Sequence, residues 1–254
     1  MQIKDQIVLI TGAGRGLGAD LARAFAREGA KVVLNYRNSE AAARELAANI
    51  GSEQAVALPA DVTDSDAVQA MVTTAAGHFG APITTVVNNA LPDFSFNGDG
   101  RPKADGIGYD EFTAQFSGVV GGALNTIQAV LPGMKDAGFG TIVNIGTNLF
   151  QNPVVPYHDY TAAKAALLAL TRTFAADLGP AKIRVNMVSG GLLRTTDASA
   201  ATPEQVFDLI AGGTPLRKVT TPAEFADAVL FFASPWSRAV TGQNLVVDGG
   251  LVMN

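Results

Sequence analysis

The sequence predicts an α/β fold in which one doubly wound, seven-stranded parallel sheet carries helices on both faces. Short runs rich in β-branched residues alternate with longer Ala-rich segments throughout the 254 residues. The strand runs contain few polar residues, as expected for strands that helices cover on both sides. No linker or shift in composition divides the chain, so residues 1–254 are expected to form one domain.

The elements follow from the two periodicities of the sequence. The predicted strands are Ile7–Thr11, Lys31–Tyr36, Ala55–Pro59, Thr84–Asn88, Thr141–Gly146, Ile183–Val188 and Asn244–Val247. Helical spacing of apolar residues predicts helices over residues 17–28, 39–50, 64–79, 109–137, 158–178 and 222–233. In such a fold, ligands bind beyond the carboxyl ends of the strands, where the strand order reverses.

Two irregular stretches follow the fourth and sixth predicted strands. Leu91–Gly108 is rich in Gly, Asp and Pro and contains Phe94 and Phe96, and residues 190–215 include a predicted helix near Pro203–Ala211. Long connections in a small domain are usually either functional or disordered, and residues 190–215 are expected to act as a substrate lid.

Composition excludes several classes of protein. Hydrophobic residues make up 48% and charged residues 16%, which excludes disorder, and a net charge of −5 argues against nucleic-acid or membrane partners. There is no cysteine, and the only histidines, His78 and His158, lack the spacing of a metal pair, so no metal site is expected. Neither a targeting signal nor a run of eighteen apolar residues is visible, and a cytoplasmic location is expected.

A glycine-rich motif, Thr11–Gly18, stands between the first predicted strand and the first predicted helix. Glycine permits the tight turn, and the start of a helix offers unpaired N–H groups to a phosphate. Arg15 adds a cation. The spacing departs from the common dinucleotide fingerprint, and a plain strand-to-helix turn is the alternative. The motif predicts a site for a nucleotide pyrophosphate.

Tyr160 and Lys164 lie four residues apart in a predicted helix, which puts both side chains on one helical face. A nearby ammonium favours the phenolate, so Lys164 is expected to lower the pKa of Tyr160. The phenol could then exchange a proton with a carbonyl or alcohol oxygen. The alternative is a solvated lysine beside a half-buried tyrosine.

Five motifs occur in order along the chain: Thr11–Gly18, Asp61-Val62, Asn88-Asn89-Ala90, the Tyr160/Lys164 pair, and Thr241–Gly250. In this the sequence resembles the short-chain dehydrogenase/reductase family over essentially its whole length, and within it the bacterial 3-oxoacyl-(acyl carrier protein) reductases. The resemblance implies a Rossmann-type fold.

The resemblance also implies residue roles. Tyr160 would exchange the proton, Lys164 would assist it and hold the nicotinamide ribose, and Thr147 would bind the substrate oxygen. The implied cofactor-binding residues are Gly12, Arg15, Gly16, Leu17, Gly18, Tyr36, Arg37, Asp61, Val62, Asn88, Ala90, Tyr160, Lys164, Gly191, Leu193 and Thr195.

The cofactor is expected to be NADP(H) rather than NAD. NAD-dependent members carry an Asp at the end of the second strand, where this chain has Asn35-Tyr36-Arg37. Arg15 and Arg37 can flank a 2′-phosphate, which a guanidinium binds well. The alternative is that Arg37 is a solvated turn residue and the enzyme uses either cofactor.

Several positions depart from the family pattern. Thr147 stands where a serine is usual, and its extra methyl group narrows the pocket. Val119 stands where an asparagine usually binds a proton-relay water, so proton supply is expected to be slower or to run through Ser117, Asn148 or His158. Glycines 118, 121 and 122 within one predicted helix suggest a close approach to another helix.

The function expected from these observations is reduction of a ketone by NADPH, with a 3-oxoacyl thioester or a similar small carbonyl as substrate. A low-turnover NADP-binding sensor and a short-chain alcohol dehydrogenase for a non-acyl substrate are the alternatives. Enoyl reduction is disfavoured because such members separate the tyrosine and lysine more widely.

Partners are less constrained by the sequence. An acyl carrier protein is a possible partner, although the edges where related reductases present basic residues offer only Lys135 and Lys182 nearby. The resemblance implies a homotetramer, for which the segments near 115–135 and 160–176 and the apolar tail after Gly250 are candidate surfaces.

Overall fold

The computed structural model describes residues 1–196 and 199–253. Its seven strands form one fully parallel sheet in the order β3-β2-β1-β4-β5-β6-β7. The strands are β1 (Ile7–Ile10), β2 (Lys31–Tyr36), β3 (Ala55–Pro59), β4 (Thr85–Asn88), β5 (Gly140–Thr147), β6 (Ile183–Gly190) and β7 (Asn244–Val247). The predicted fold class is confirmed. The order reverses between β1 and β4, which opens a crevice at their carboxyl ends.

Helices cover both faces of the sheet. They are α1 (Gly16–Arg27), α2 (Glu40–Ile50), α3 (Ser65–Phe79), α4 (Tyr109–Phe116), α5 (Gly122–Ala137), α6 (His158–Leu178), α7 (Glu204–Gly213) and α8 (Pro222–Ala233). The predicted helix near Pro203–Ala211 corresponds to α7. Among the described residues, no helix is both long enough and apolar enough to span a membrane.

The hydrophobic core consists of two layers that the central strands separate. Val8 and Ile10 of β1 pack with α1 and α8 on one face, while Ile7 and Leu9 pack with α3, α5 and the end of α6 on the other. All four residues are buried. Alternate side chains of one strand thus enter opposite layers, which explains why the strand is uniformly apolar.

The chain is helical over the whole predicted segment 109–137, but the regular α-helix is interrupted within it. A π-helical turn, Ser117–Gly121, separates α4 from α5. The sequence suggested that these glycines mark a close approach to another helix, and the π-turn does pack beside α6. The atoms nearest to two of the glycines, however, belong to loops. A Cβ on Gly118 would lie 2.6 Å from Pro92, and one on Gly122 would lie 2.6 Å from Val62. They let two loops at the carboxyl edge of the sheet approach the helix.

Candidate active site

The glycine motif forms a tight turn between β1 and α1. Gly12 and Gly16 have φ of 65° and 53°, values that glycine adopts without strain. A Cβ on Gly18 would lie 2.2 Å from the carbonyl oxygen of Gly12, so the turn closes too tightly for any side chain there. Arg15 is the N-cap of α1 and makes no side-chain cap, which leaves the first backbone amides of α1 directed at the crevice.

The turn is fastened to the end of β4 by side chain to backbone hydrogen bonds. The Thr11 hydroxyl accepts from the backbone N–H groups of Asn89 and Ala90, both at 2.9 Å. The Asn89 amide donates to the carbonyl oxygen of Thr11 at 2.9 Å. The sequence analysis assigned Asn88 and Ala90 to the site but missed Asn89, which holds the turn in place.

Asn35, at the end of β2, supports the turn from its other side. Its Oδ1 accepts from the backbone N–H of Gly12 at 3.2 Å, and its Nδ2 donates to the carbonyl oxygen of Ala60 at 3.0 Å. Tyr36 is also buried. Ser39, which the sequence analysis missed, packs on the turn, since a Cβ on Gly14 would lie 2.1 Å from its Oγ.

Arg37 lies at the end of the crevice that the resemblance gives to the adenosine. Its guanidinium is 2.9 Å from Asp93 and 3.7 Å from Asp61. The Arg37 side chain is 39% exposed, so it is available to an anion that enters from solvent. Hydrogen bonds from Thr63 and the nearby Arg37 hold the pKa of Asp61 below its usual value.

Three predicted catalytic residues meet near the carboxyl end of β5. Thr147 is the last residue of β5, while Tyr160 and Lys164 lie one turn apart in α6, and all three are buried. The Thr147 side chain lies beside the Tyr160 phenol, and hydrogen bonding to it acts to lower the pKa of Tyr160. The Lys164 ammonium donates to the carbonyl oxygen of Ile145 at 2.6 Å and lies 5.8 Å from the Tyr160 ring centroid.

The expected lowering of the Tyr160 pKa by Lys164 is wrong for this conformation. Burial raises the pKa of Tyr160 to about 12, although the Thr147 hydrogen bond acts in the opposite direction. Burial also lowers the pKa of Lys164 to about 8. Burial removes water from both groups and therefore disfavours both charged forms.

The aromatic cover over Tyr160 was not predicted. Phe94 and Phe96 belong to the irregular segment after β4, and their ring centroids lie 5.2 and 5.6 Å from that of Tyr160. The Tyr157 ring contacts both phenylalanines, at 5.2 and 5.7 Å. The sequence marked this segment as irregular, yet only tertiary packing shows which residue it covers.

A small cavity lies beside Lys164 where the family pattern would have a relay asparagine. It has a volume of about 10 Å³ and is lined by Val119, Asn88 and Lys164 among others, which is room for one water molecule. The buried Oδ1 of Asn88 has no hydrogen-bond partner among the described residues. Asn148, suggested above as a substitute, instead bonds Asp248 at 2.9 Å.

The predicted lid leaves the carboxyl end of β6. A Cβ on Gly191 would lie 3.0 Å from the Asn148 amide, so this start of the segment packs closely on the crevice. The Leu193 carbonyl oxygen accepts from the Ser199 hydroxyl at 2.7 Å, and Thr195 is exposed. Residues 197 and 198 of the expected lid lie outside the described residues. In the described part of the chain, no group of three metal-binding side chains occurs.

The geometry suits a dinucleotide, and comparison with known proteins identifies the family. Residues 12–252 match a family profile described as enoyl-(acyl carrier protein) reductase. The chain is 33% identical to a 3-oxoacyl-[acyl-carrier-protein] reductase of Chlamydia muridarum, covering 97% of each chain. It is 31% identical to the 7alpha-hydroxysteroid dehydrogenase of Escherichia coli K12, covering 98% of this chain and 95% of that one.

A solved structure agrees with these relatives. A 3-oxoacyl-[acyl-carrier protein] reductase of Brucella melitensis with bound NAD superposes with a TM-score of 0.85 at 35% identity, over 98% of this chain and 92% of that chain. The chain belongs to the short-chain dehydrogenase/reductase family. Short-chain dehydrogenases/reductases are oxidoreductases that bind NAD(P). The glycine turn fits that cofactor, because Gly12 and Gly16 form the tight turn that leads into the N-terminus of α1, where backbone N–H groups can bind a phosphate.

Proposed function

We propose that this short-chain dehydrogenase/reductase reduces a ketone to an alcohol with NADPH, and that a 3-oxoacyl thioester or a similar small carbonyl compound is its substrate. The observation that carries the proposal is that Thr147, Tyr160 and Lys164 are buried together near the carboxyl end of β5. Two hydroxyl groups that lie side by side can both donate to one carbonyl oxygen.

Thr147 and Tyr160 have different roles in the proposed reduction. The nicotinamide, when bound, supplies the hydride to the carbonyl carbon. Thr147 donates a hydrogen bond to the carbonyl oxygen and polarises it, and Tyr160 transfers its proton to that oxygen as negative charge develops. Burial raises the pKa of Tyr160, which keeps the phenol protonated before the reaction and suits a proton donor.

Lys164 balances the phenolate that the proton transfer leaves behind. Its ammonium lies one helical turn from Tyr160 and has two N–H donors beyond the one that Ile145 accepts. Of the cofactor-binding residues that the resemblance implies, Gly12, Asp61 and Asn88 lie at or just beyond the carboxyl ends of β1, β3 and β4. Arg37 and Arg15 would bind a 2′-phosphate. The exposed guanidinium of Arg37 favours NADPH over NADH.

The acyl carrier protein receives no support from the lysines named in the sequence analysis. Lys135 and Lys182 precede β5 and β6, at the amino edge of the sheet, whereas Thr147 ends β5 at the other edge. Eight residues of strand separate the two edges by roughly 23 Å. A free or coenzyme A-linked substrate therefore fits these positions better than a carrier-bound one.

A low-turnover NADP-binding protein is the second candidate, and the aromatic cover over Tyr160 favours it, because that side chain is only 8% exposed. Consumption of NADPH with a panel of 3-oxoacyl thioesters, enoyl thioesters and small ketones separates the candidates. Reduction of ketones is expected, and NADPH binding without turnover on any of them would favour the sensor. The same panel run backwards with alcohols and NADP⁺ tests for an alcohol dehydrogenase.

A further inference from the structure

We infer that Phe94 and Phe96 select the substrate, favouring carbonyl compounds that carry a planar, uncharged ring next to the carbonyl group. Together with Tyr157 they form an aromatic wall over Tyr160. The inference rests on the proposed reductase function, because it takes Tyr160 as the group that meets the carbonyl oxygen.

The wall presents its rings to Tyr160 in two orientations. Phe94 is tilted by 34° to the Tyr160 ring at 5.2 Å, close to an offset stack, whereas Phe96 meets it edge-on at 79° and 5.6 Å. Burial alternates along this stretch, with Asp93 and Ser95 exposed and the two phenylalanines turned inward. The extended backbone therefore directs both rings at the acid.

The wall is fastened to the loop that leads into α6. The Tyr157 ring packs edge-on against both phenylalanines. Its hydroxyl accepts a hydrogen bond from the backbone N–H of Gly98 at 2.8 Å, two residues beyond Phe96. A backbone bond at this point fixes the depth at which the two rings enter the crevice.

A buried ion pair sets the position of Phe94. Arg101 lies 2.6 Å from Asp159, the residue before Tyr160, and their side chains are 16% and 2% exposed. The Arg101 guanidinium also lies 4.4 Å from the Phe94 ring centroid. Arg101 is therefore a positioning residue: it is held by Asp159 and in turn holds Phe94 over Tyr160.

The chemistry of the wall determines which substrate group it accepts. A substrate that reaches Tyr160 must come between that residue and the rings that cover it. A flat aromatic group can form new ring contacts in place of those between Tyr160 and the two phenylalanines. A saturated ring of the same size cannot, because it lacks the negative face and positive edge of an aromatic ring. Asp159 neutralises the charge of Arg101, the cation that packs on Phe94, so this part of the wall offers a substrate carboxylate no net positive charge.

The first test compares phenyl methyl ketone with cyclohexyl methyl ketone, which differ in the planarity of the ring. The ratio of their kcat/KM values removes general effects of a substitution. We expect the ratio for the phenyl over the cyclohexyl ketone to fall by about tenfold when Phe94→Leu and Phe96→Leu are combined, because two aromatic contacts are lost. Each single variant should lower the ratio by less. Phe79→Leu, a half-buried phenylalanine at the other end of the sheet near Lys31, should leave the ratio unchanged.

Arg101→Lys separates positioning from a general structural role. Lysine retains the charge that Asp159 needs but lacks the planar group that lies over Phe94. We expect KM for phenyl methyl ketone to rise more than kcat falls, while the cyclohexyl ketone is affected less. Equal effects on both ketones would reduce Arg101 to a residue that only maintains the fold.

A binding measurement makes the outcome independent of turnover. Benzamide and cyclohexanecarboxamide present a carbonyl beside the same two rings but are not reduced, and their affinities are measured by calorimetry with and without NADPH. We expect tighter binding of benzamide, and loss of that preference in Phe94→Leu. Similar affinities, no measurable binding, or a preference that survives Phe94→Leu would overturn the inference even in an active enzyme. Absence of ketone reduction with the benzamide preference intact would instead count against the proposed function alone.

Discussion

The two sides of the crevice are built from different kinds of contact. On the cofactor side, Gly12 and its neighbours are held by backbone groups and by the short polar side chains of Thr11, Asn35 and Asn89. On the substrate side, Tyr160 is covered by the rings of Phe94 and Phe96. The first arrangement tolerates few changes at any position, whereas the second can exchange one apolar ring for another. If the residues that hold the cofactor cannot change while those that cover the substrate can, one fold can reduce many different carbonyl compounds.

The largest effect is expected from removing the acid. Tyr160→Phe should lower kcat by about 10³-fold, the range typical of a lost general acid, because phenylalanine has no proton to give. The affinity for NADPH, measured by fluorescence titration, should change little. Tyr109→Phe is the matched control, since Tyr109 is 83% exposed. Retained turnover in Tyr160→Phe would remove this residue from the mechanism.

The close packing of the glycine turn on the cofactor side is tested by adding one methyl group. Gly18→Ala places a Cβ 2.2 Å from the Gly12 carbonyl oxygen, so we expect a loss of about 3 kcal/mol in the free energy of unfolding and weaker NADPH binding. Gly77→Ala, in α3, meets nothing within 4 Å and should stabilise the protein by up to about 1 kcal/mol. Chemical denaturation of both variants measures the difference, and equal changes would contradict the close-packed turn.

Burial of Lys164 predicts how stability depends on pH. Its pKa falls from 10.5 to about 8 in the folded protein, so between these values the unfolded chain binds a proton that the native protein does not. The free energy of unfolding should therefore rise with pH across this window, by on the order of 2–3 kcal/mol relative to Lys164→Met. Urea titrations of both proteins from pH 7 to pH 10 measure it. Parallel curves would show that Lys164 keeps its ordinary pKa.

A smaller effect is expected at the adenosine end. Arg37→Ala should reduce the preference for NADPH over NADH by about tenfold, because one charged hydrogen bond to the 2′-phosphate is lost. Arg23→Ala, which removes an exposed arginine paired with Asp20, is the control. An unchanged ratio of the kcat/KM values for NADPH and NADH would show that Arg37 only forms ion pairs with Asp61 and Asp93 and does not bind the cofactor.

The smallest effect is expected at the cavity beside Lys164. Val119→Asn adds a polar partner for a water that Asn88 and Lys164 can share, and kcat should rise a few-fold if proton supply limits the rate. The solvent deuterium isotope effect on kcat should fall in parallel. An unchanged kcat and isotope effect would locate the slow step elsewhere.

Much of the fold follows from local sequence. The strands, which are rich in β-branched residues, were predicted to within one or two residues, because such runs are typical of strands in a sheet that helices cover on both faces. The helical segment over residues 109–137 was predicted, but its π-turn at Ser117–Gly121 was not. Pro92 and Val62, which approach Gly118 and Gly122 there, lie far away in sequence. Local periodicity does not report such a contact.

In the site, too, local sequence predicts some features, while others depend on contacts between distant parts of the chain. Spacing alone predicted that Tyr160 and Lys164 share one helical face, whereas Thr147 was assigned to the site through the family resemblance. The direction of the Tyr160 pKa could not be inferred, because it depends on burial under a segment more than fifty residues away. The alternation Phe94-Ser95-Phe96 was a usable signal that both rings face the same side, but it does not say which residue they cover.

Asn35 has a consequence for attempts to change the cofactor. The obvious route to an NADH-dependent variant is Asn35→Asp, which restores the carboxylate of NAD-dependent members. A carboxylate can still accept from Gly12, yet it cannot donate to the Ala60 carbonyl oxygen, and at 2% exposure it would face that oxygen without solvent. Such a swap should cost about 1–3 kcal/mol of folding free energy. Redesign of coenzyme choice therefore has better starting points at the exposed rim, at Arg37 and Ser39, than at the strand end itself.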